Sequence, residues 1–229
     1  MRRISLLVAA GWLWAAAPAQ AGTITIDFDL TGSTVDILGG GVEIPPEGSI
    51  PAGSMSLTIQ GSAIDSPLAG AAVLSAFDFD IVISGDILGN AITGTIYTSQ
   101  TGTTAGSLNG ALDTVSFASA LVLAIDPAND TIDCSGPNCG SIGSFPVVVT
   151  TPQIASPLGS YAVSGLATPG AATFGGLLST AIEGFATDFT FVGTETSRSF
   201  VPEPGVATLL GMGLAALAGW RRRTGRAAR

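Results

Sequence analysis

The chain has no histidine and no lysine. Without histidine, Ser-His-Asp and Cys-His nucleophile arrangements are excluded. Without lysine, Schiff-base chemistry is excluded. Cysteine is limited to Cys134 and Cys139. A zinc site would have to be completed by carboxylates alone, which is unusual for a structural site. Tryptophan is missing from the body, because Trp12, Trp14 and Trp220 all sit near the two ends. Charge is sparse and almost entirely of one sign. Gly22 to Phe200 holds 16 acidic residues and one basic residue, Arg198, a formal charge of −15 over 179 residues. Such a surface repels phosphate, whose binding needs Lys or Arg, so no nucleic-acid partner is expected. Charge density is also too low, and apolar content too high, for a disordered chain. The body is long enough for one domain with a sizeable core.

What is present at the two ends is patterned for export. Met1-Arg2-Arg3 is basic, Ile4 to Ala17 is apolar, and Ala19-Gln20-Ala21 supplies small residues at a cleavage point before Gly22. Residues 1–21 therefore read as a secretory signal peptide and are left out of fold reasoning. At the other end, Gly205 to Trp220 is 16 residues without charge. As a helix it is about 24 Å long, short against a bilayer core of about 30 Å. Thinning of the bilayer and snorkelling of the flanking arginines make up part of the gap. Pro202 and Pro204 stop the helix upstream. Arg221, Arg222 and Arg223 fix its far end on the cytoplasmic side.

Pro202-Glu203-Pro204, a hydrophobic helix and a terminal arginine cluster, in that order, resemble a PEP-CTERM sorting signal over residues 201–229. The resemblance implies a Gram-negative bacterium that makes exopolysaccharide. It also implies processing near Pro-Glu-Pro by an exosortase, a membrane-embedded, cysteine-type transpeptidase-like enzyme. As in a GPI signal, the hydrophobic tail would be removed. Anchoring in the inner membrane is then transient, and the destination is the cell surface or the medium. Members share little in their bodies, so nothing is carried over before Val201.

The body, residues 22–200, has a period of two. Ile24, Ile26, Phe28 and Leu30 share one face and alternate with Thr23, Thr25, Asp27 and Asp29. Met55, Leu57 and Ile59 repeat the pattern, as do Phe77, Phe79, Ile81 and Ile83, and then Ile92 and Ile96. Phe117 to Ile125 reads as a longer, central strand. Phe145 to Thr150, Ser160 to Ser164, and Phe185 through Phe189 to Phe191 complete the series. Gly, Pro, Asn and Ser turns separate these runs. The pattern predicts an all-β fold, an antiparallel β-sandwich or jelly roll with one wet face. Ala171 to Ile182 is assigned one short helix, with Gly175-Gly176 weakening its start. An outer-membrane barrel also alternates, but aromatic girdles are missing and a C-terminal spanning helix does not fit one.

Carboxylate pairs are the only common catalytic groups left, and glycoside hydrolysis is the reaction class they permit. The candidates are Asp78, Asp80, Glu183 and Asp188. Pairs at i, i+2 such as Asp27/Asp29 and Asp78/Asp80 read better as a solvated strand face. Asp126, Asn129, Asp130 and Asp133 form an oxygen-rich stretch without EF-hand spacing, better read as a plain loop than a calcium site. Asn129-Asp130-Thr131 matches a glycosylation sequon, a weak signal in a bacterium. No cofactor and no metal are assigned. Cys134 and Cys139 frame a Gly-Pro turn in an exported chain, so a disulfide is expected. It contributes about 2 kcal/mol by the chain-entropy estimate.

The functional expectation is a non-enzymatic, exported surface or matrix protein that associates with exopolysaccharide. The alternative is a carbohydrate-binding module, which needs exposed aromatics. Tyr97 and Tyr161 are the only tyrosines in the body, its phenylalanines mostly fall on inward faces and its tryptophans lie at the ends, which counts against a strong lectin site.

Overall fold

The alternation seen in the sequence becomes a ring of antiparallel strands. A computed structural model describes residues 21–39, 42–43, 47–87, 89–118, 121–125, 130–142, 144–148, 153–155, 159–182, 185–203 and 211–215. The strands are β1 (Gly22–Asp29), β2 (Ser33–Gly39), β3 (Val42–Glu43), β4 (Glu47–Ala63), β5 (Ser66–Ile87), β6 (Asn90–Gln100), β7 (Thr104–Leu108), β8 (Thr114–Phe117), β9 (Leu121–Ile125) and β10 (Thr131–Ser135). A single-turn helix, α1 (Cys139–Ile142), follows. The chain then forms β11 (Val147–Val148), β12 (Gln153–Ala155), β13 (Gly159–Ser164), β14 (Thr173–Ile182) and β15 (Phe185–Pro202).

Several short strands are halves of longer ones. Opposite β4, the register runs from Gly22↔Gly61 to Asp29↔Ser54 in β1 and resumes unshifted at Ser33↔Ile50 in β2. β6 and β7 together flank β5. β8 and β9 face β7 and β6 in one register, Gly106↔Phe117 and Gln100↔Leu123. β13 and β12 continue likewise against β8 and β9, Gly159↔Phe117 and Gln153↔Leu123. Eight long strands result, each antiparallel to the next in sequence. The last closes on the first, because β15 pairs with both β1 and β2. Closure removes the exposed edges that a β-sheet otherwise presents.

Two walls pack on one core, as in a sandwich, but consecutive strands are spatial neighbours all round. The crossing connections of a jelly roll are not seen among the described pairings. Eight strands enclose a space that side chains can fill. Phe79 makes edge contacts with Phe77, Phe189 and Phe191 at centroid distances of 5.2, 5.6 and 5.5 Å, joining the third long strand to the eighth. Ile24, Ile26, Phe28, Leu57 and Ile81 are fully buried beside them. Thr25 and Asp27 face outward, where Thr25 and Thr58 share a 3.0 Å hydrogen bond. Apolar inside and polar outside is the reverse of an outer-membrane barrel.

The helix assigned to Ala171–Ile182 is not formed; Thr173–Ile182 is β14, paired along its whole length with β15. Gly176 lies flat on the buried Tyr161 ring, where a Cβ would stand 2.5 Å from a ring carbon. The glycine is there for strand packing rather than as a weak helix start. Residues 211–215 are helical. No helix among the described residues is long and apolar enough to cross a membrane. The signal peptide through Gln20, and the rest of the C-terminal helix and its arginines, lie outside the described residues.

Candidate functional site

The most promising site lies on the outward face of β5, β6 and β10. Ile92 and Ile96 point into the core, so period two turns Thr93, Thr95 and Tyr97 outward. Across the ladders, Thr93 stands between Ser84 and Asp133, and Thr95 between Val82 and Thr131. These rows line an open groove of about 500 Å³. Tyr97 closes one end of it and is 45% exposed, directly opposite Asp80. Its backbone is fixed from behind. Asp130 is fully buried and its Oδ1 accepts the Tyr97 N–H at 2.7 Å. That bond falls where β6 passes from pairing with β10 to pairing with β9.

The disulfide braces this region. Cys134, on β10, is bonded to Cys139 with Cα atoms 5.8 Å apart. The intervening turn sits on the hairpin that joins β5 to β6. There the Asn138 N–H donates to buried Asn90 Oδ1 at 2.9 Å. Gly136, at φ 153°, lies against Asn90 so closely that a Cβ there would collide with it.

Of the expected carboxylate candidates, the described ones, Asp78, Asp80 and Asp188, are not gathered into one cleft. Asp78 and Asp80 lie on outward positions of β5, and Asp78 Oδ1 accepts the Gln100 N–H at 3.1 Å. Asp188 is on β15, opposite Asp36 and Ser179. Glu183 lies outside the described residues. Asp27 accepts hydrogen bonds from Ser56 and Ser197, each at 2.5 Å, as a solvated strand face should. Of the oxygen-rich loop, Asp126 and Asn129 are not described, Asp130 is buried and Asp133 is exposed on the groove face.

The described residues next to the two predicted processing points, Ala21 to Thr23 and Val201 to Glu203, meet at one end of the ring. Gly22 pairs with Pro202 and Thr23 with Val201. The Glu203 N–H donates to the Ala21 carbonyl at 3.2 Å. The predicted cleavage point after Ala21 and the start of Pro202-Glu203 are therefore neighbours across one ladder. β15 itself runs two residues past the expected boundary at Phe200. Ala19, Pro204 and Arg221 to Arg223 are not described.

The body's single cation is also at this end. Arg198 and Glu195 side chains are 3% and 2% exposed and form a bidentate pair, Nε to Oε1 and Nη2 to Oε2, both 2.8 Å. Arg198 Nη1 donates to the carbonyls of Leu166 at 2.5 Å and Ile64 at 3.2 Å. Burial pushes the Glu195 carboxyl up. Arg198 and the backbones of Gly170 and Ala172 outweigh that and hold it below the usual glutamate range. Among the described residues of the body, no cation faces water.

Sequence reasoning left out Thr131 and Asp133 as groove residues. The outward set Thr93, Thr95 and Tyr97 was readable from Ile92 and Ile96, but the neighbour across from them was not. Comparison with protein-family models, with curated proteins and with solved structures finds no match.

Proposed function

We propose that the chain is an exported cell-surface or extracellular-matrix protein that associates with exopolysaccharide and acts without catalysis. The observation that carries this reading is the chemistry of the outer faces. They present threonine and serine hydroxyls and carboxylates, while Arg198, the one cation, is buried in its pair with Glu195. Such a surface suits hydroxyl-rich neutral polymers and repels nucleic acid and anionic lipid. The sandwich-like packing of two walls on one core supports a rigid display of those faces.

In this reading residues 1–21 direct export. The helix from Gly205 to Trp220 anchors the chain in the inner membrane until an exosortase-type enzyme acts near Pro202-Glu203-Pro204. The pairing of Gly22 with Pro202 supports a domain that folds while both ends are still at the membrane. The test is the intact mass of the protein taken separately from cells and from medium. A species that begins at Gly22 and ends near Pro202-Glu203-Pro204 is expected. A mass that still contains Gly205 to Arg229 in both fractions would overturn the sorting step.

A further inference from the structure

We propose that the groove across β5, β6 and β10 is a binding subsite for a neutral polysaccharide chain, with the Tyr97 ring stacking on a sugar face. The proposal rests on the exopolysaccharide reading above and names the surface and the ligand chemistry. Three observations converge on it.

The first is what the groove offers. Ser84, Thr93, Thr95 and Thr131 bring hydroxyls and Asp133 a carboxylate, all on one outward face. Same-face positions repeat about 6.8 Å along a strand and about 4.8 Å between strands. That lattice matches a ligand with many spaced hydroxyls. Tyr97 adds a half-exposed aromatic face with a polar tip, the amphipathic combination that suits a sugar ring.

The second is what the groove withholds. Over Ala91 to Thr95, β6 is paired on both sides, with β5 and with β10. Its backbone donors and acceptors are occupied, so a peptide cannot add a strand there. Recognition must go through side chains. The charges nearby, Asp80 and Asp133, are negative, and the only cation of the body is buried against Glu195. Acidic polymers and nucleic acid are repelled, which leaves a neutral glycan.

The third is preorganisation. Asp130 holds the Tyr97 backbone, and the Cys134–Cys139 bridge with Asn90 holds β10 beside β6. A site whose members are fixed before binding loses less conformational entropy on binding.

The test is affinity electrophoresis of the full chain in a polyoxyethylene detergent. Gels contain dextran, galactomannan, hydroxyethyl cellulose, alginate or exopolysaccharide from the producing cells. The variants are Tyr97→Ala, Tyr97→Phe and Asp133→Asn, with Val192→Thr on a distant wall as control. Thermal melts check that each is folded. Retardation by at least one neutral polymer is expected, weakened about tenfold by Tyr97→Ala, weakened less by Tyr97→Phe and Asp133→Asn, and unchanged by Val192→Thr. Equal retardation of wild type and Tyr97→Ala overturns the groove and leaves exopolysaccharide association standing. Retardation by alginate alone overturns the neutral-glycan assignment. Failure of every polymer, cellular exopolysaccharide included, overturns both the groove and the association.

Discussion

The end of the ring where Gly22 pairs with Pro202, called the terminal end below, and the end that carries the disulfide are held by different chemistry. At the terminal end, one arginine gathers three connections. It reaches Ile64 in the β4–β5 turn, Leu166 in the β13–β14 loop, and Glu195 in β15, whose Oε2 also accepts the Ala172 N–H at 2.9 Å. At the other end, Cys134–Cys139 and the buried Asn90 hold the β10–β11 connection against the β5–β6 hairpin. One end depends on charge and geometry, the other on a covalent bond and a neutral amide. The difference follows from composition. A body with a single cation can form one such hub, and a planar guanidinium with five donors serves several acceptors where an ammonium cannot.

The largest effect expected comes from breaking the hub. Arg198→Ala leaves the Glu195 carboxylate buried without its partner and should lower unfolding free energy by about 3–5 kcal/mol. Arg198→Lys keeps the charge and loses the bidentate fork, so it should restore less than half of that. Denaturant melts measure both. Wild-type stability for Arg198→Ala would show that the pair is not what holds this end.

Reducing the disulfide should cost less, about 2 kcal/mol for so small a loop. The effect should also be local. Hydrogen exchange should speed up around Asn90 and residues 131–148 and leave Ile24 and Leu57 unchanged. Uniform acceleration over the whole ring would mean that the two ends unfold as one unit and that the comparison has no energetic meaning.

How much of this was readable beforehand depends on how strongly each strand alternates. β1, the second half of β4, Phe77 to Ile83 of β5 and the Phe189–Phe191 stretch carry bulky apolar residues at every second position, and all were legible. The first half of β4, Glu47 to Ser54, is rich in Gly, Ser and Pro and lay outside the alternating runs. It is a strand because Pro51 sits where the β4–β5 register shifts between Ser49 and Ala52, a place that tolerates a missing donor. β14 looked helical because Leu177, Leu178, Ala181 and Ile182 suit a helical stripe; its pairing with β15 decides. Ring closure left no trace in any single stretch, since it is a property of the first and last strands together. The groove was half legible. Tyr97 and its threonines follow from alternation, whereas Asp133 and Thr131 join them only because β10 continues along β6 after the chain leaves β9.

The smallest expected effect is also at the terminal end, and it concerns acid. Asp113 lies in the turn between β7 and β8, where the Asn109 amide and the Thr114 hydroxyl hold its carboxyl below the usual aspartate range. The Asp113 carbonyl also accepts the Val163 N–H at 2.8 Å, which ties this turn to β13. Glu195 is lowered as well. A carboxyl lowered in the folded state contributes stability above its unfolded value, about 4, and loses that contribution as pH falls through the folded value. Both groups lie at the terminal end, so that end should loosen first below about pH 4, and Glu195 should dominate because Asp113 is exposed and screened. Carboxyl-carbon NMR titration should place the Asp113 midpoint below the ordinary value, and Asn109→Ala should return it toward that value while the melting temperature stays within scatter. An unmoved midpoint in Asn109→Ala would show that the amide does not set it, and would leave Glu195 as the only acid-sensitive contact traced to this end.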